Sequence, residues 1–180
     1  MRVPRRLCHL TPDGDWVAGP GVPECVRIWP YTQHWAHPYR TRDPRRADPV
    51  NIFVLGAAPA RVTADLAPRG WNRPSDGETH RLWIDGHLRR MVDHVTRGAR
   101  EDRLHARLWA VGGGTLLAVH EEYLSKGNRH VVVSWDAARE RLYADLTAAG
   151  YRDLSPSGIV VAPNLRHVPG DGRIWRAEAG

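Results

Sequence analysis

Apolar and polar positions alternate with two periods along this chain, and the switch between them marks its elements. VNIFVLG, residues 50–56, is a short apolar run ending in glycine, the pattern of a buried strand. AAPARVTADLAPRGW follows, with Ala58, Val62 and Leu66 spaced as one helical face, Asp65 outward and Gly70 as the stop. HVVVSW and DAARERLYADLTAAGY repeat the strand–helix order 80 residues later. There Asp136 is the expected N-cap, Leu142, Leu146 and Ala149 the buried face, and Gly150 the stop. At that offset Ala57, Ala58, Arg61, Ala64, Asp65, Leu66 and Gly70 meet identical residues, and Trp71 meets Tyr151. Two βα units sharing one sheet are expected, a pattern consistent with duplication.

Between the units, THRLWI predicts a strand and HLRRMVDHV a short helix. His80, His87 and His94 recur every seven residues. On one helix they would lie two turns, ~10.5 Å, apart, too far to share an ion, so they read as scattered surface histidines. After the second helix, SGIVVAP predicts a strand, and GDGRIWRAE a turn and a last short strand. The expected fold class is α+β: a mostly antiparallel sheet with two βα units and the helices packed on one face.

The stretch RLHARLWAVGGGTLLAVHEEYLSKGNRHVVVSW, residues 103–135, reads as three strands joined by two glycine-bearing turns. A two-residue Gly112-Gly113 turn pairs Val111 with Gly114. That register sets His105 opposite His120, Arg107 opposite Ala118 and Arg103 opposite Glu122, with Cβ atoms ~5 Å apart. Pairing Tyr123 with Arg129 puts His130 on the face of Glu122, whereas a one-residue slip puts it on the other. Leu104, Ala106, Leu108, Leu117, Val119, Val131, Val133 and Trp135 then form an apolar face suited to helices.

The polar face collects Arg103, His105, Arg107, His120, Glu122 and His130. Three readings compete with a simple solvated face of His–Glu pairs. The first is a small anionic or phosphorylated ligand, bound through Arg103, Arg107 and Arg139 with His105, His120, Glu122 and His130. The second is a metal-dependent hydrolase, with a divalent ion on His105, His120 and His130 and Glu122 as ligand or general base. No HExxH, P-loop, nucleophile elbow or GxGxxG points to other chemistry.

Charge brings in the third. The net charge is +6. Residues 1–47, a Pro-, Arg- and aromatic-rich extension to the domain at 48–180, hold eight Arg against four acids. This arm could bind nucleic acid, with Trp29, Trp35 and Tyr39 stacking on bases. Only Lys126 is lysine among 26 basic residues, which points instead to coding bias. Cys8 and Cys25 make no disulfide framework, and with His9, His34 and His37 they match no tight zinc spacing. No apolar run approaches the ~20 residues of a membrane span and no secretory signal precedes the domain, so a soluble, cytoplasmic protein is expected.

The pieces DPVNIFVLG with its helix and GW, HARLW, the His130 strand running into DAARERLYADLTAAGY, and GDGRI resemble the LssY C-terminal domain family. They span roughly residues 48–175. Members of that family are often joined to multi-span membrane segments, some of them phosphatase-like. The resemblance therefore implies envelope or lipid-linked work and a membrane-associated or other protein partner. It implies no catalytic residues. This chain would be a stand-alone soluble version.

Overall fold

The computed structural model describes residues 33–34, 50–75, 80–84, 87–99, 102–125, 129–154, 159–160 and 173–180. Its strands are β1 (Gln33–His34), β2 (Ile52–Leu55), β3 (His80–Ile84), β4 (His87–Arg90), β5 (Asp93–Ala99) and β6 (Asp102–Val111). They continue with β7 (Gly114–Ser125), β8 (Arg129–Ser134), β9 (Arg152–Asp153), β10 (Ile159–Val160) and β11 (Arg173–Glu178). The helices are α1 (Pro59–Leu66) and α2 (Asp136–Ala148). The class is α+β, with both helices against one face of a mostly antiparallel sheet.

The hairpin of β6 and β7 is the spine of that sheet. It pairs from Val111–Gly114 to Asp102–Tyr123, in the register that the Gly112-Gly113 turn dictates. β5 lies along the free edge of β6. The other edge of β7 is shared: β2 pairs with its first four residues and β8 with its last five. Asn51 bridges the gap, its amide donating to Val119 O (2.8 Å) and accepting from Val119 N (3.0 Å). A side chain thus continues the ladder where backbone pairing stops, so the buried groups stay satisfied.

β11 runs parallel to β2, and β9 and β10 both pair with its outer edge. The expected last strand is therefore an inner strand of the sheet. The expected helix HLRRMVDHV is instead β4 and the start of β5. Its Val95 is fully buried between the half-buried His94 and Thr96, an alternation of period two that fits a strand better than a helix. β1, β3 and β4 form a separate three-stranded sheet. It is tied to the main one where Met91 N donates to His80 O and Val92 N to Leu108 O.

Pro59 opens α1 with a preset φ, and Gly70 (φ 84°) ends the following 3-10 turn, Ala67–Arg69. Ala58 is the exposed residue before the helix; Pro59, Val62, Thr63 and Leu66 face inward. For α2, Ser134 Oγ accepts the Ala137 N–H at 3.1 Å and does the capping expected of Asp136. Its inner face carries Ala138, Arg139, Leu142, Tyr143 and Leu146.

The helices cover Ile52, Val54, Leu104, Ala106, Leu108, Leu117 and Val119. Each of the Val, Leu and Ile side chains among them, fully buried, is worth about 1.5–3 kcal/mol. Val133 was expected on this face but is 49% exposed. Between Glu121–Ser134 and Glu122–Val132 the register shifts by one, so Val133 is the extra residue of a β-bulge. Among the described residues no helix is long and apolar enough to cross a membrane. Of the basic arm only Gln33–His34 is described; Trp29, Trp35, Tyr39, Cys8 and Cys25 lie outside the described residues.

Candidate functional site

The second face of the sheet divides into two zones. One end is apolar, with Phe53, Leu55, Trp109, Leu116 and Ile174 buried together. The other end holds Arg103, His105, Arg107, His120 and Glu122, all buried. Strand alternation along β6 and β7 places every one of them on this side. The predicted cross-strand pairs His105–His120, Arg107–Ala118 and Arg103–Glu122 are all present.

Glu122 is the hub. Its Oε1 accepts from Arg103 Nε at 2.7 Å and lies 3.0 Å from His130 Nδ1 and 3.5 Å from His105 Nδ1. Its Oε2 takes His120 Nε2 at 2.9 Å. Burial works against the ionised carboxyl, but the hydrogen bonds that His105 and His120 direct at it outweigh it. Glu122 is held well below the usual carboxylate range.

His130 reaches this hub from a different register than expected. It pairs with Leu124, and Tyr123 pairs with Val131 rather than Arg129. The shift is two residues, an even number, so His130 keeps the face of Glu122. The bulge at Val133 comes later in β8 and leaves that parity untouched. His130 is half exposed, while His105 and His120 are buried.

Arg107 Nη1 lies 3.4 Å from His120 Nδ1. A guanidinium donates and cannot accept. His120 Nδ1 is therefore the acceptor, and Nε2 carries the hydrogen that meets Glu122. The two arginines thus have distinct tasks: Arg103 grips the carboxylate and Arg107 selects the tautomer of its imidazole partner.

Arg139 does not join the cluster. It lies on α2, on the helix side of the sheet, where its guanidinium sits 4.5 Å from the Trp175 ring centroid and 3.4 Å from Asp136. The i, i+3 spacing to Asp136 suits a solvent-side pair, and nothing in that spacing tells a reader that Arg139 turns inward.

His94 is the residue that sequence reading missed. Once residues 93–99 are a strand, His94 pairs with Arg107 and its ring comes 5.5 Å from that of His105, centroid to centroid. His105 in turn lies 5.4 Å from His120. Three imidazoles thus form a row across β5, β6 and β7. The signal that could have found it was the buried Val95 between two polar neighbours, followed by Gly98. At Gly98 (φ 107°) a Cβ would stand 2.7 Å from Asp102 O, so only glycine lets β5 approach β6 there.

The ligand atoms of His105, His120 and Glu122 all lie within 4.8 Å of one another, a spacing that admits an ion. His130 is not a member of that group. The nitrogen of His120 and the oxygens of Glu122 that would have to bind the ion are already engaged with one another, and Arg103 occupies Oε1. The arrangement as it stands is a carboxylate enclosed by N–H donors.

No family model, no curated protein and no solved structure matches the chain.

Proposed function

We propose that this is a ligand-binding domain whose His/Arg sheet face takes a small anionic or phosphorylated ligand. One observation carries the reading: Arg103, His105, His120 and His130 all direct nitrogens at the two oxygens of Glu122, at 2.7–3.5 Å. Side chains that enclose one oxyanion supply the chemistry to bind another, and each guanidinium has five N–H groups to share. The half-exposed His130 gives the face its opening toward solvent.

The test is thermal stability with inorganic phosphate and with organic phosphomonoesters. Wild-type protein is expected to melt at higher temperature as phosphate is raised, and Arg107→Ala to lose that dependence. Melting unchanged by every phosphate compound overturns the reading.

A metal-dependent hydrolase is the reading that the spacing of His105, His120 and Glu122 favours. It requires the Glu122–His120 and Glu122–Arg103 contacts to give way to the ion. Elemental analysis of protein purified without a metal-affinity tag separates the two, because stoichiometric zinc, iron or manganese would replace the anion reading with this one. Membership of the LssY C-terminal family and a cytoplasmic location belong to the same proposal, and the sequence pieces quoted above support the first. Nucleic-acid binding by the arm is tested by deleting residues 1–47, and it predicts affinity that falls steeply with salt.

A further inference from the structure

Of the side chains around Glu122, His130 is the one open to solvent: its side chain is 50% exposed, against 9% or less for Arg103, His105 and His120. Its Nδ1 is 3.0 Å from Glu122 Oε1. A carboxylate only accepts, so Nδ1 carries the hydrogen, and the neutral ring keeps its lone pair on Nε2. Ring geometry turns Nε2 away from the carboxylate that holds Nδ1. Among the described residues, Nε2 of His130 has no hydrogen-bond partner.

The carboxylate behind the ring is itself immobilised. Arg103 and His120 each donate to Glu122 from buried positions. Burial with those donors keeps Glu122 ionised and fixed in direction. A buried, oriented carboxylate on Nδ1 and a free lone pair on Nε2 are the two requirements of a nucleophilic or basic imidazole. His105 and His120 are buried, so neither turns a ring nitrogen toward solvent.

We propose that His130 Nε2 is a phosphoryl-accepting nucleophile, oriented and charge-compensated by Glu122, toward small phosphoryl compounds. The inference rests on the anionic-ligand reading above and adds a reaction to it. In the step, the Nε2 lone pair forms a bond to phosphorus as the bond from phosphorus to the leaving oxygen breaks, and the leaving group departs with that electron pair. Nδ1 keeps its hydrogen. The ring gains one positive charge, which ionised Glu122 offsets at 3.0 Å. Water then attacks phosphorus, the N–P bond breaks, its electrons return to Nε2, and inorganic phosphate is released with one proton from the water. Glu122 is a positioning residue in this scheme, and His130 the catalytic one.

The probe is acetyl phosphate, whose leaving group is a stable carboxylate. Wild-type full-length protein is incubated with it, and acid-labile, alkali-stable phosphoryl adducts are mapped by mass spectrometry. His130 is expected to take up the group at least about tenfold faster than any other histidine. His130→Asn, whose amide can still donate to Glu122, is expected to fold as wild type and to lose the adduct. Glu122→Gln is expected to lower the rate at His130. Should that variant fail to fold, the wild-type site map and His130→Asn still decide. Adducts spread evenly over the ten histidines, or none at His130, overturn the proposal. Phosphate-dependent melting without an adduct leaves ligand binding standing and removes the reaction. An adduct at His130 without phosphate-dependent melting does the reverse.

Discussion

Trp71 donates its indole N–H to Asp145 Oδ2 at 2.8 Å, from the end of the first βα unit to the helix of the second. The reverse contact is also made: Tyr151, the residue aligned with Trp71, donates its hydroxyl to Asp65, the residue aligned with Asp145, at 2.7 Å. Gly70 and Gly150 precede the two aromatics with φ of 84° and 95°. The repeat in the sequence therefore corresponds to a reciprocal exchange between the two units, with each helix holding the aromatic that ends the other.

Removing the Tyr151 hydroxyl by Tyr151→Phe is expected to cost about 1 kcal/mol, the net value of one hydrogen bond. Asp145→Ala is expected to cost about 1–3 kcal/mol, because it strands the buried Trp71 N–H and also releases Arg97. Urea denaturation measures both. Burial, then the bond to Asp65, pushes the Tyr151 hydroxyl above its ordinary range. Its contribution is complete below the unfolded pKa of about 10 and shrinks as pH rises above it. The wild-type advantage over Tyr151→Phe is thus expected to narrow in base. Losses within error for both substitutions would mean that the exchange does not stabilise the fold.

What the sequence made legible follows a physical divide. The β6–β7 register was readable because a two-residue Gly112-Gly113 turn leaves a single pairing, and every cross-strand partner follows from it. The face of His130 was readable only by parity, since the length of the next loop sets the register and composition does not determine it. The bulge at Val133 left no mark in the apolar pattern HVVVSW, because valine serves equally inside a strand and as the extra residue of a bulge. HLRRMVDHV misled through its charged residues, which suit a helix, while Val95, buried between the half-buried His94 and Thr96, carried the strand signal. Arg139 misled because charge alone predicts exposure, whereas the Trp175 ring beneath it and the pair with Asp136 accommodate the buried guanidinium.

The position of Arg139 makes it a control for the candidate site. Arg139→Met keeps much of the side-chain volume against Trp175 and removes the cation. It is expected to lower stability by about 1–3 kcal/mol through the lost ring contact and the pair with Asp136. It is expected to leave any phosphate-dependent stabilisation and the reactivity of His130 unchanged, since it lies on the other side of the sheet. A loss of phosphate response in Arg139→Met equal to that in Arg107→Ala would contradict the assignment of the two faces.

Two neighbouring glycines separate close packing from backbone strain. At Gly114 a Cβ would stand 2.0 Å from Val54 O and 3.1 Å from a Phe53 ring carbon. Val54 O is backbone within β2, so relief requires β2 to move away from β7. Gly114→Ala is expected to cost more than about 3 kcal/mol, in the range of severe overpacking. At Gly113 (φ 82°) nothing lies within 4 Å of the Cβ, so Gly113→Ala carries only the left-handed strain, about 1–2 kcal/mol. Chemical denaturation of the pair reads the difference, and equal losses would place the contact between β2 and β7 elsewhere.

Glu122 gives the last prediction a sign. Its folded-state pKa is depressed below the ordinary carboxylate value, so the unfolded chain binds the proton more readily. The stabilisation is complete above the unfolded pKa of about 4.3 and is lost as pH falls below it toward the folded value. Glu122→Gln keeps the shape but leaves Arg103 without its carboxylate in a buried site, a change expected to cost about 3–5 kcal/mol at neutral pH. Between about pH 5 and pH 3 the gap between wild type and Glu122→Gln is expected to narrow, because only the wild type loses this contribution. Urea denaturation at steps across that range measures it. A gap that stays constant down to pH 3 would show that the Glu122 carboxyl titrates alike in folded and unfolded chains, and the cluster of donors around it would then confer no charge stabilisation.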